Sequence, residues 1–163
     1  AILFPHGVFF RDEEQDIRKK LVEMDLIECV IGLGPNLFYN SPMEACIIIC
    51  KSKKSGKAKG KILMINAVNE VVRKNAESML TNDHIQKILS AYTAFETIEG
   101  FSKVVAIDEI AEKRYNLNIS LYAYSQRYAQ NQILDAASAY NAWKQSSTAL
   151  ADVYDGLMGL LNR

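Results

Sequence analysis

The sequence contains no GxGxxG, no P-loop, no GxSxG and no HExxH. No local motif therefore supplies a phosphate cradle, a nucleophile elbow or a zinc-hydrolase site. Histidine is scarce: His6 and His84 are the only two, neither with a second ligand three or four residues on, and no zinc or other metal site is expected. The three cysteines are an odd count without a CxxC pair. In an extended strand Cys46 and Cys50 would lie about 13 Å apart, too far to bridge. Buried, reduced thiols and a cytoplasmic location are expected instead. No apolar run is long enough to span a membrane, and no secretory leader opens the chain. Charge of one sign is lacking too: 19 Lys+Arg balance 19 Asp+Glu, for a net charge of zero. That excludes a uniformly basic nucleic-acid binder and a disordered polyelectrolyte, so any contact with DNA has to use a local patch.

What is present is ordinary material for a fold. The 163 residues are 49% apolar and 23% charged, a length and mixture that suit one domain with an appendage. Folding at this size buries roughly 70% of the unfolded surface, enough for a core without disulfides. The chain starts Ala-Ile-Leu-Phe-Pro, as if cut within a strand, and a piece of a longer protein is expected.

The pattern predicts a buried strand at 1–4, stopped by Pro5-His6-Gly7. Asp12 is placed to cap a helix over 13–25 with Gln15 in the capping box. Its expected apolar stripe is Ile17, Leu21 and Met24, with Arg18, Lys19 and Glu23 facing water. A second strand is expected over 26–33, and a third over 45–50 covered on both faces because it holds no polar residue. A fourth covers 62–65. Thr81 should cap a helix carrying Ile85, Ile88, Leu89, Tyr92 and Phe95 on one face. A short strand at 104–107 and a helical turn capped by Asp108 follow. From about Tyr124 the chain is rich in alanine and helical in spacing to its end. The fold class is α/β with a helical tail.

No residue in this pattern is nominated as nucleophile or general base. Acidic pairs such as Glu13-Glu14 are explained by a helix start. Two features stand out. The first is the loop of residues 34–42, where Phe38 and Tyr39 sit between prolines and asparagines at the carboxyl end of a strand. Open α/β sheets bind ligands there; the alternative is that Phe38 plugs the core. The second is the run Lys51, Lys53, Lys54, Lys57, Lys59 and Lys61, uninterrupted by an acid. It reads either as a patch for DNA phosphates, through Lys53, Lys54 and Lys57, or as a solvated hairpin connection.

Phe4-Pro5-His6-Gly7-Val8-Phe9-Phe10-Arg11 resembles the "LPNGVLFR" segment of the modification subunits of type I restriction-modification systems. Ile17-Arg18-Lys19-Lys20-Leu21 is similar to their "IRKKL", and residues 26–39 resemble "LIEAVIGLPPNLFYG". Ala45-Cys46-Ile47-Ile48-Ile49 answers "ACILV", and Tyr115-Asn116-Leu117-Asn118-Ile119-Ser120 answers "YNLNIS", all in order. The departures are His6-Gly7 for "NG", Gly34 for the first proline of "LPPN", and residues 40–44 for "GTGIP".

The resemblance implies an adenine-N6 DNA methyltransferase that uses S-adenosylmethionine. It implies residues 1–122 as the carboxyl-terminal half of a Rossmann-like methyltransferase sheet and 123–163 as a helical tail for subunit association. The family's cofactor glycines and its Asn-Pro-Pro-aromatic motif lie upstream of such a segment and are absent here. The chain alone is thus expected to be inactive and to bind no cofactor. The alternative is a noncatalytic interaction module of an inactive relative. By analogy with related adenine methyltransferases, Phe38 and Tyr39 take the place of the aromatics that stack on the flipped adenine. The implied partners are DNA, a specificity subunit and, through it, a second modification subunit and the restriction subunit.

In the tail, heptad a and d positions from Ile133 are Ala136, Tyr140, Trp143, Ser147, Leu150, Tyr154, Leu157 and Leu161, all but Ser147 apolar or aromatic. Arg127, Lys144 and Arg163 balance Asp135, Asp152 and Asp155, which argues for a protein partner over phosphate. Tyr140, Trp143, Leu150, Tyr154 and Leu157 form the expected interface, open to self-association if unpartnered. The competing reading is a tail folded back on its own domain.

Overall fold

A computed structural model describes residues 1–38, 41–74, 77–123, 140–141 and 143–148. The chain divides into two compact units, 1–125 and 126–163. The first is built on a five-stranded mixed sheet. In chain order its elements are β1 (Ile2–Pro5), α1 (Gln15–Glu23), β2 (Ile27–Leu33), β3 (Ala45–Cys50) and β4 (Lys61–Ala67), then β5 (Val72–Lys74), β6 (Glu77–Met79), α2 (Asn82–Ala94), β7 (Ser102–Ala106) and α3 (Ile107–Glu112). The sheet order is β1-β3-β2-β4-β7, and β5-β6 form a separate hairpin. β3 runs antiparallel to both neighbours, β2 and β4 are parallel, and β7 is antiparallel to β4. The fold is α/β, as the apolar strand runs imply.

Two layers cover this sheet. Val22 of α1, Ile110 of α3, Phe9 and Leu117 pack on one face against Val30, Ile48 and Met64. Ala91, Ile88 and Tyr92 of α2, with Phe101, cover the other over Ile31, Leu63 and Ile65. β2 and all of β4 except Lys61 are buried. β1 is not: Ile2 and Leu3 are exposed, because this edge strand has a neighbour on one side only. In β3, Ile47 and Ile49 are only half-buried, so its cover is incomplete on the α2 side.

The helix at 15–23 is rotated from its expected phase. Ile17 is 62% exposed and Met24 is exposed as well, while Arg18 is 5% exposed. Arg18 Nη1 donates to the carbonyls of Val8 (2.9 Å) and Arg11 (2.7 Å), and its Nε donates to that of Tyr115 (3.1 Å). A guanidinium so satisfied can be buried. Asp12 heads a short 3-10 turn and makes no capping bond, and α1 starts without a side-chain cap. α3 likewise starts at Ile107 after Ala106, with no cap from Asp108. Thr81 does cap α2, its hydroxyl accepting from the His84 N–H in a capping box. Along α2, Ile88, Tyr92 and Phe95 pack inward while Ile85 and Leu89 are exposed.

Glu28 is the lone charge in the β2 run and sits where the β2–β3 register shifts. It is buried, and it accepts from Tyr92 Oη (2.6 Å) and from Lys51 Nζ (2.9 Å). Burial opposes ionisation, but the bonds from Tyr92 and Lys51 and the nearby lysine charges outweigh it and hold the carboxyl below its ordinary value of 4.5. Its contribution to stability is full above that value and is lost as pH falls through the lower folded value. Tyr92→Phe removes a bond to a charged acceptor and is expected to cost about 1.5–3 kcal/mol at neutral pH. Urea melts of both proteins should show this gap narrowing below about pH 4.

Candidate nucleic-acid interface

β1 and β2 are both antiparallel to β3, and β4 is parallel to β2. The carboxyl ends of β1, β2 and β4 therefore meet at one end of the sheet, where the loops starting at His6, Gly34 and Val68 lie side by side. Phe38 stands in the second of these. It is 40% exposed and lines a cavity of about 170 Å³ with Leu3, Pro5, Met43 and Glu44. It is not a core plug. The Ser41 N–H donates to the Phe38 carbonyl (3.0 Å). Tyr39, the other aromatic of this loop, lies outside the described residues.

Local chemistry fixes the approach to Phe38. A Cβ at Gly34 would sit 2.6 Å from the Val68 carbonyl oxygen and 2.8 Å from Val71 Cγ1, so only glycine lets the loops after β2 and β4 touch. Asn36 takes the left-handed conformation (φ 60°), which asparagine tolerates better than most residues. The Asn36 carbonyl accepts from the Ser78 N–H (2.9 Å), tying the β5–β6 hairpin to the loop. On the other side, His6 Nδ1 lies 3.4 Å from Glu44 Oε2, and the His6 N–H donates to the Glu44 carbonyl. The departures His6 and Gly34 thus sit in the contacts that hold the loop.

The lysine run is at the opposite end. It joins the end of β3 to the start of β4, and β2 lies between those strands, so it is no hairpin connection. A strand of this length sets it about 20 Å from Phe38. Lys54 is not free: its side chain is 1% exposed and bonds Asp25 Oδ1 (2.5 Å) and the Lys61 carbonyl (2.8 Å). Burial raises the Asp25 carboxyl, but the bonds from Lys54 and the Gly60 N–H prevail and hold it low. Lys54 pins its own loop, whereas Lys53 and Lys57 are exposed.

The cysteines are free, Cys29 and Cys46 buried and Cys50, contrary to expectation, exposed. Burial, aided by Glu44, pushes the Cys46 thiol up to about 12, far from a reactive thiolate. In the second unit, Tyr140 and Trp143 are 58% and 64% exposed, with ring centroids 5.9 Å apart. Leu150, Tyr154 and Leu157 lie outside the described residues. No strand was expected at 72–74 or 77–79, where β5 and β6 pair; Val-Arg-Lys and Glu-Ser-Met carry no polar-apolar alternation.

The family model for N-6 DNA Methylase matches residues 1–131. The chain belongs to that family. It is 45% identical over 127 residues to the type I restriction enzyme MjaVIII methylase subunit of Methanocaldococcus jannaschii, covering 75% of this chain and 22% of that protein. To the MjaVII methylase subunit of the same organism it is 37% identical over 164 residues, 98% of this chain and 28% of the relative. Among solved structures, the methyltransferase subunit of a type I restriction-modification system from Streptococcus thermophilus superposes with a TM-score of 0.70 at 38% identity, covering 75% of this chain and 26% of that one. The N-6 DNA methylase segment seen here thus spans about a quarter of the length of these relatives. It carries the aromatic loop and the mixed, Rossmann-like sheet around it.

Proposed function

We propose that this segment serves a type I modification subunit that methylates adenine N6 in DNA, and that it holds the target base while residues outside it supply cofactor and catalysis. The observation that carries this reading is Phe38, an exposed aromatic at the carboxyl end of a buried strand beside a cavity. An aromatic face there returns part of the cost of unstacking a base, about 1–3 kcal/mol. Phe38→Ala in the complete subunit is expected to lower kcat/KM for methylation by about 5- to 150-fold, the rate equivalent of that range. It should leave the melting temperature close to wild type. A variant that melts early while its folded fraction methylates normally would mean that Phe38 serves the fold alone.

The residues present do not fit S-adenosylmethionine. The described turns after β1, β2 and β4 include no glycine-rich turn into a helix, and the space at Gly34 is filled by Val68 and Val71. The isolated chain should therefore give no heat beyond dilution when titrated with S-adenosylmethionine. Micromolar binding would contradict the division of labour.

For the second unit we propose docking on a DNA-specificity subunit, and through it association with a second modification subunit and the restriction subunit, in the cytoplasm where DNA is reached. The relatives are named as subunits of type I restriction enzymes, and the paired rings of Tyr140 and Trp143 are exposed. That exposure also suits the second reading, a noncatalytic interaction module. The two differ in whether the complete subunit methylates DNA.

A further inference from the structure

We propose that the β5–β6 hairpin is the edge of the interface that grips the duplex backbone, with Arg73 and Lys74 as its phosphate-binding cations; this rests on the reading of Phe38 as the base-holding residue. Arg73 and Lys74 are exposed, and neither forms an ion pair among the described residues. The hairpin leaves the carboxyl end of β4, the same end of the sheet as Phe38. It is fixed there by the Ser78 N–H bond to the carbonyl of Asn36, two residues before Phe38, and by the close contact of Gly34 with Val68 and Val71.

Nearby acids offer little opposition. Glu70 is neutralised by Lys87 Nζ at 2.6 Å, and Glu44 faces His6. Glu77 is the register partner of Lys74 across the two strands, with no salt bridge between them among the described residues, and Arg73 stands opposite Ser78. Phosphates flanking an extruded base would pass this edge, whereas Lys53 and Lys57 stand about 20 Å away along the strands. Base capture and backbone grip thus share one end of the sheet.

The test is duplex binding by the complete subunit assembled with its specificity partner, measured across a salt series. Arg73→Gln with Lys74→Gln should flatten the slope of log K against log salt by about 1–2, because each lost phosphate contact accounts for about 0.9. The loss should be equal for duplexes with and without the recognition site. Arg73→Lys should retain the slope. Phe38→Ala should also retain it, and a failure of base capture in that variant leaves the hairpin result standing on its own. An unchanged slope in the hairpin variant overturns the proposal, and most plainly so if Lys53→Gln with Lys57→Gln flattens it instead. An equal fall in Arg73→Lys would show that charge is not what the hairpin contributes, and overturns it as well.

Discussion

Arg18→Ala is expected to lower the free energy of unfolding by about 3 kcal/mol or more, the largest effect of any single substitution considered. One side chain satisfies three carbonyls from separate stretches: Val8 and Arg11 after β1, and Tyr115 after α3. Removing it leaves those part-buried acceptors without their partner, at about 1–3 kcal/mol each. Arg114 and Tyr115 both take left-handed φ values (55° and 56°), so the stretch that Arg18 holds is one that would relax if released. For a chain of this size the loss corresponds to a melting temperature lower by about 6–12 °C. Arg18→Lys should recover only part of it, since a single ammonium cannot span the same three acceptors. A drop of less than about 1 kcal/mol in Arg18→Ala would mean that water replaces the guanidinium at little cost.

The second large effect is expected at the tail. Tyr140→Ala with Trp143→Ala should weaken assembly with the specificity subunit by about 2 kcal/mol or more per aromatic, because exposed aromatics of this kind dominate the interfaces they enter. The same variant should leave the melting temperature of the unpartnered protein nearly unchanged, since neither ring is buried. Co-purification and thermal melts read the two quantities side by side. A large melting drop with assembly intact would assign these rings to the protein's own core.

Much of the sheet was legible in the sequence, for a physical reason. β3 is an uninterrupted apolar run, β2 is one broken only by Glu28, and Thr81 announces α2 through a cap that local spacing encodes. The phase of α1 was not legible. It is set by Arg18, whose acceptors include a carbonyl 97 residues away, and no periodicity encodes such a partner. The hairpin reading of the lysine run fails for a related reason: that β2 lies between β3 and β4 is a property of the sheet order. Lys54 looked free because its partner, Asp25, is distant in sequence. Phe38 was identified from loop chemistry and family resemblance together, but its exposure came only with the fold. The hairpin at 72–79 escaped because its two strands are too short and polar to show a period.

In the proposed function, Phe38 holds the target adenine. Its most direct test places 2-aminopurine at the target adenine of a recognition duplex and follows its fluorescence on binding by the complete, assembled enzyme. Wild type should extrude the base and Phe38→Ala should leave it largely stacked, with the strength of duplex binding itself changed little. Equal extrusion by wild type and Phe38→Ala, with both proteins folded, would contradict the account.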